Sequence, residues 1–157
     1  MISIDDVYFQ LIMMPFQALG IKYEMRKEGS IYKGIVNIKE FRKMFKSTLG
    51  KMSAVKLDEN TIQLMKTGDI SNIKVEEMQD GIKIGMGEIG EIILTDDKLA
   101  EKLNETFREQ FGDNVTVTKQ GETIVVTVTN PQKIFLNVLN KANSPIKLEN
   151  GKLVFKL

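Results

Sequence analysis

The 157-residue chain has no cysteine, no histidine and no tryptophan, and only three prolines. Without cysteine there can be no disulfide, thiolate nucleophile, Cys-ligated zinc or iron–sulfur cluster. Without histidine the commonest general base and the commonest metal ligand are gone too. Neither sign of charge dominates, since 22 basic side chains face 21 acidic ones. Long apolar runs are also missing. The richest, residues 7–19, is too short to span a bilayer and carries Gln10 and Gln17. It follows Asp5-Asp6, where a signal peptide would carry positive charge. No membrane association and a cytoplasmic location are therefore expected. What remains is an apolar fraction of 42% and a charged fraction of 27%, the balance of a globular chain with one compact domain or two very small ones.

The chain repeats itself. Asp5-Asp6 recurs as Asp96-Asp97 and Phe16 as Phe107. Gly20, Lys27, Gly29 and Val36 match Gly112, Lys119, Gly121 and Val128, 92 positions later. Lys43, Phe45, Leu49 and Lys51 match Lys133, Phe135, Leu139 and Lys141, and Lys56-Leu57 matches Lys147-Leu148. The offset drifts by single residues near turns, as expected of an internal duplication.

Each copy reads as helix, hairpin, helix, hairpin. In the second, Thr95 or Asp96 caps a helix whose Leu99, Leu103, Phe107 and Phe111 recur every four positions before Gly112 stops it. Residues 115–118 and 124–129 alternate as half-buried strands around Gly121. Asn130-Pro131 restarts a helix with Ile134, Phe135, Val138, Leu139 and Ala142 as its buried stripe. Asn150-Gly151 then turns a hairpin between 146–149 and 152–157. In the first copy a helix runs from Ser3 to about Leu19, kinked or broken at Pro15. Strands 23–27 and 31–36 follow, then a helix over 39–49 and a hairpin of 55–58 with 61–65. Between the copies, 73–78 and 82–86 flank Asp80-Gly81, and 91–94 forms one more strand. The expected fold is α+β: tandem duplicated helix–hairpin–helix–hairpin repeats at 1–67 and 94–157, joined by a connecting hairpin at 68–93. Antiparallel sheets carry helices on one face.

Few motifs carry chemistry. Gly85-Met86-Gly87-Glu88-Ile89-Gly90 spells G-x-G-x-x-G, but a dinucleotide site needs a helix after the glycines and residues 91–95 read as a strand. A connector between the halves is the plainer reading. Asp5-Asp6 and Asp96-Asp97 fall at helix starts, where carboxylates cap free amides and meet the helix dipole. Asn104 and Asn114 formally open glycosylation triplets, with nothing else to suggest secretion. No catalytic residue, metal ligand set or cofactor is expected, and the protein is read as a non-enzyme.

The helix over 39–49 is the most informative element. Phe41, Met44, Phe45, Thr48 and Leu49 form one apolar face. Lys39, Arg42, Lys43 and Lys46 form a basic stripe on another. Residues 1–67 hold 11 basic and 7 acidic groups, whereas 68–93 hold 2 and 6. A clustered cationic face suits sequence-independent phosphate contact; a merely solvated lysine face is the alternative. The first helix is apolar almost all round. Tyr8, Phe9, Ile12, Met13 and Phe16 are its candidate interface residues, with burial under the chain's own sheet as the alternative.

The segment Val36-Asn37-Ile38-Lys39-Glu40-Phe41-Arg42-Lys43-Met44-Phe45-Lys46 resembles the strand-to-helix segment of the DNA sliding clamps, the PCNA-like family. The hairpin that follows, and the strand, helix and strand pair over 91–129, are similar in order. Together they cover roughly half of the chain. The resemblance implies a ring of repeated modules whose helices line a pore and whose outer sheets join edge to edge. Duplex DNA would pass through, held by phosphate attraction without base reading. Lys39, Arg42, Lys43 and Lys46 would be the pore-facing contacts. The function expected is thus a non-enzymatic, self-associating, clamp-like protein that binds duplex DNA or another polyanion. One alternative is a protein–protein adaptor docking through its first helix, without nucleic acid. Another is a small-molecule binder using the glycine segment or a cleft between the repeats.

Overall fold

The computed structural model describes residues 3–66, 71–134, 146–149 and 152–155. Its framework is a four-stranded antiparallel sheet in the order β1 (Tyr23–Glu28), β2 (Ile31–Asn37), β9 (Thr123–Thr129), β8 (Val115–Gln120). Two hairpins far apart in sequence thus meet along β2 and β9, in the centre of one sheet. They share one register 92 positions apart: Tyr23 opposes Val36 and Val115 opposes Val128, while Glu28 opposes Ile31 and Gln120 opposes Thr123. Gly29 and Gly121 turn them with φ of 63° and 61°, backbone that residues with a Cβ rarely adopt.

One face of this sheet is the core. Side chains alternate across a strand, so the register stacks Val115, Val128 and Tyr32 in one row and Val117, Val126 and Gly34 in the next. All six are buried. The apolar N-terminal segment lies against that face. Pro15 has no amide hydrogen to give, and the segment divides at Met13 into α1 (Ile4–Ile12) and α2 (Met14–Ala18). Ser3 caps α1 in a capping box closed by Asp6. Phe9 stacks on Tyr32 at 5.3 Å between ring centroids. Met13 fills the notch left by Gly34, where a Cβ would stand 2.6 Å from its terminal methyl. Gly34 is therefore a packing requirement of the sheet.

Two longer helices complete the core. α3 (Ile38–Leu49) follows β2 directly, capped by Asn37, whose side chain accepts from the Lys39 and Glu40 amides. α4 (Asp96–Phe111) is capped by the Thr95 hydroxyl and packs along β8. Asn104 fastens it there, its side-chain oxygen accepting from the Val117 amide. Phe16 joins the three helical segments, with its ring 6.3 Å from Phe41 of α3 and 5.8 Å from Phe107 of α4. Residues of 1–67, 68–93 and 94–157 all contribute to this one cluster.

Three smaller sheets account for the other described strands. β5 (Lys74–Met78), β6 (Gly81–Gly85) and β7 (Glu91–Thr95) form an antiparallel meander. β3 (Met52–Asp58) and β4 (Thr61–Lys66) form a two-stranded ribbon. Asn72 holds the ribbon by one edge, exchanging two side-chain hydrogen bonds with the Ala54 backbone at 2.7 and 2.9 Å. β10 (Ile146–Glu149) and β11 (Lys152–Phe155) pair as expected. A helical turn at 131–134 buries Pro131 and Ile134. The rest of that expected helix, including Phe135, Val138, Leu139 and Ala142, lies outside the described residues, as does the Asn150-Gly151 turn. The architecture is α+β with antiparallel sheets. No helix among the described residues is long and apolar enough to cross a membrane.

Candidate nucleic-acid interface

α3 buries Ile38, Phe41, Arg42 and Leu49 and turns Lys39, Lys43 and Lys46 to solvent. The three lysines sit at helical spacings of four and three, which aligns them along one side of α3. None is in an ion pair with a described residue. Further lysines extend the surface. Lys22 shares a shallow groove with Glu40, Lys43 and Met44, and Lys51 and Lys66 line a second with Ser47 and Thr48. Lys22 and Lys66 come from the α2–β1 loop and the end of β4, so nothing in the helix sequence indicates them.

Arg42 departs from the expected stripe and is not a surface contact. It is only 6% exposed, and its charge is used internally. Its Nε stands 3.2 Å from Oδ1 of Asp96, which is 5% exposed, and its NH1 donates to the Met78 carbonyl at 2.8 Å. The reason lies in the helix geometry. Arg42 is one turn from Ile38 and Phe45, on the rim of the buried stripe, and α3 leans there against β5. Asp96 likewise does not cap α4, since Thr95 does; its carboxylate instead faces Arg42 across the molecule. The contact is an ion pair without hydrogen-bond alignment, and neither facing atom makes a hydrogen bond. Burial pushes the Asp96 carboxyl above the usual carboxylate range, against the pull of Arg42 and Lys119.

A cleft opens over this pair, lined among others by Lys39, Arg42, Asp80, Asp96, Lys119 and Glu122. Two backbone bonds close its walls: Ile38 N–H donates to Glu122 O, and Asp96 N–H donates to Asp80 O. Lys119 bridges to Asp97 at 3.5 Å.

The interface residues expected on the first helix are placed differently as well. Phe9, Ile12, Met13 and Phe16 are buried core, and Tyr8 is half-buried. They cover the sheet and the Gly34 notch, so the alternative of burial under the chain's own sheet holds for these four. Ile4, Val7, Leu11 and Met14 are exposed instead, with Ile4 at 61% and Met14 at 53%. Asp6 does more than cap: the Tyr32 hydroxyl donates to its carboxylate at 2.8 Å, which holds the Asp6 carboxyl below the usual carboxylate range.

The glycine segment is a tight link between β6 and β7. A single 3-10 turn spans Gly87–Ile89, Met86 N–H donates to Gly90 O at 2.8 Å, and β7 follows where a dinucleotide site needs a helix. Among the described residues no group of three or more acidic side chains is placed to hold a metal ion. No protein-family model, curated protein or solved structure matches the chain.

Proposed function

We propose that the protein is a non-enzymatic, cytoplasmic, self-associating chain of clamp-like architecture that holds duplex DNA or another polyanion through Lys39, Lys43 and Lys46. The observation that carries this reading is the outer side of α3, with three exposed lysines in line, none engaged by a described carboxylate. Cations left free on a rigid helix attract phosphates without reading bases, and release of the condensed counterions makes such binding steeply salt-dependent. Lys22, Lys51 and Lys66 broaden the contact on either side. The shared register of β1–β2 and β8–β9, meeting at β2 and β9, supports an internal duplication of the kind such modules use.

Self-association is supported by apolar surface on two elements. α1–α2 exposes Ile4, Val7, Leu11 and Met14, and the β3–β4 ribbon exposes Val55, Leu57, Ile62, Leu64 and Met65. A two-stranded ribbon with apolar residues exposed is marginal on its own and is stabilised by further pairing. The same α1 face favours a second reading, a protein–protein adaptor with no nucleic-acid role. Titration of a labelled DNA duplex at rising salt separates the two. The first reading expects tight binding at low salt that Lys43→Glu with Lys46→Glu abolishes; salt-independent or absent binding leaves the adaptor. Light scattering of the chain alone reads its self-association.

A further inference from the structure

Among the described residues, Arg42 and Asp96 are the two charged side chains buried in the interior, and they face each other. A buried ion pair is costly to assemble, because two charges lose their water and only good geometry restores that loss. Here the geometry is incomplete, since Arg42 Nε and Asp96 Oδ1 approach to 3.2 Å without a hydrogen bond. Arg42 of this pair also lies in the proposed binding element, α3. Arg42 is the residue before Lys43, and it lines one cleft with Lys39, the first lysine of the exposed stripe.

We propose that Asp96 sets the polyanion affinity of the α3 surface: as a carboxylate it neutralises Arg42 in place, and as a neutral acid it leaves the guanidinium charge to act on a phosphate backbone at the mouth of the cleft. This inference rests on the reading of α3 as a polyanion-binding surface and names how that surface is regulated. The charges facing Asp96 come from several elements: Arg42 and Lys39 on α3, Lys119 on β8, Asp80 in the β5–β6 turn, Glu122 in the β8–β9 turn, and Asp97 on α4 itself. The cleft alone holds three cations and three carboxylates, so loss of the Asp96 charge changes its local balance by one unit in favour of an anion. Charges in a low-dielectric wall are poorly screened, so a buried guanidinium acts across the cleft more strongly than a solvated one.

Composition makes this device legible. With neither histidine nor cysteine, no side chain in its ordinary range titrates between about pH 5 and 8. Burial raises the Asp96 carboxyl above the usual carboxylate range. A polyanion bound here therefore tightens as pH falls, to an extent of about fivefold for one partly screened unit charge.

The test uses the full chain and a short labelled DNA duplex at low salt, with wild type and Asp96→Asn compared from about pH 4 to pH 8. Wild type is expected to bind more tightly toward the acid end. Asp96→Asn is expected to bind about fivefold more tightly at the neutral end, with that part of the pH dependence gone. Parallel profiles of equal affinity overturn the proposal while leaving the lysine surface intact. No duplex binding by wild type overturns both. A second measurement needs no variant. Linkage is reciprocal, so bound duplex must raise the proton affinity of Asp96 by the same factor. Carboxyl-carbon NMR of wild type reads this directly: an Asp96 titration displaced upward by the duplex is expected, and one left unmoved overturns the proposal.

Discussion

α1–α2 and α3 lie on the same core and are joined through Phe16 and Phe41, yet they offer opposite surfaces to water. The first pair presents Ile4, Val7, Leu11 and Met14; the second presents Lys39, Lys43 and Lys46. Inside, the roles reverse. α1–α2 buries only apolar side chains, whereas α3 carries a full guanidinium, Arg42, into the interior. The difference teaches that an apolar helix and a basic helix can each hide one residue of the opposite kind of importance. On α1–α2 the docking candidates Phe9, Ile12, Met13 and Phe16 are core, and on α3 one of the four phosphate-contact candidates, Arg42, is an internal tie.

Substitutions that separate the inner from the outer residues of each element break or sharpen this contrast. The largest effect is expected at Phe16→Ala, which empties the junction of three helical segments and costs about 3–5 kcal/mol of stability by chemical denaturation. Met14→Ala, two positions away and exposed, is expected within about 0.5 kcal/mol of wild type. Within α3, Arg42→Ala is next. It strands the Asp96 charge and frees the Met78 carbonyl, at a cost of about 3 kcal/mol or more, while its neighbour Lys43→Ala is silent in the same denaturation.

A smaller pair of effects is read from stability against pH. Asp6 is held below its ordinary pKa by Tyr32, so its contribution is full above about pH 4 and is lost as pH falls through the lowered value. Asp6→Asn is expected to flatten that acid limb. Asp96 runs the other way. Its pKa is raised by burial, so its ionisation weighs against the folded state as pH rises through that value, and Asp96→Asn removes this dependence. Lys43→Glu with Lys46→Glu is likewise expected to change folding by no more than about 0.5 kcal/mol, though its effect on binding is the greatest of all.

Much of the framework was legible because it is encoded locally. Asp80-Gly81 and Gly121 mark hairpins, Thr95 caps a helix, and the four-residue recurrence from Leu99 to Phe111 predicts α4 nearly to the residue. What could not be read is which surface each element meets. Arg42 and Asp96 are far apart in sequence, so spacing on α3 placed Arg42 with the lysines, when tertiary packing took it inside. The notch at Gly34 that receives Met13 is equally non-local, and it converts a helix that looks like an interface into a lid on its own sheet. The β3–β4 ribbon shows the converse. The sequence places a hairpin there, yet Asn72 holds one edge and most of its apolar residues remain exposed.

The central claim is that the outer side of α3 is an electrostatic contact for a phosphate backbone. Its most direct measurement is duplex DNA affinity as a function of salt, for wild type and for Lys43→Glu with Lys46→Glu. A steep fall of affinity with salt in wild type, and loss of binding in an equally stable double variant, is the predicted result. An affinity indifferent to salt, or unchanged by reversal of both charges, contradicts it.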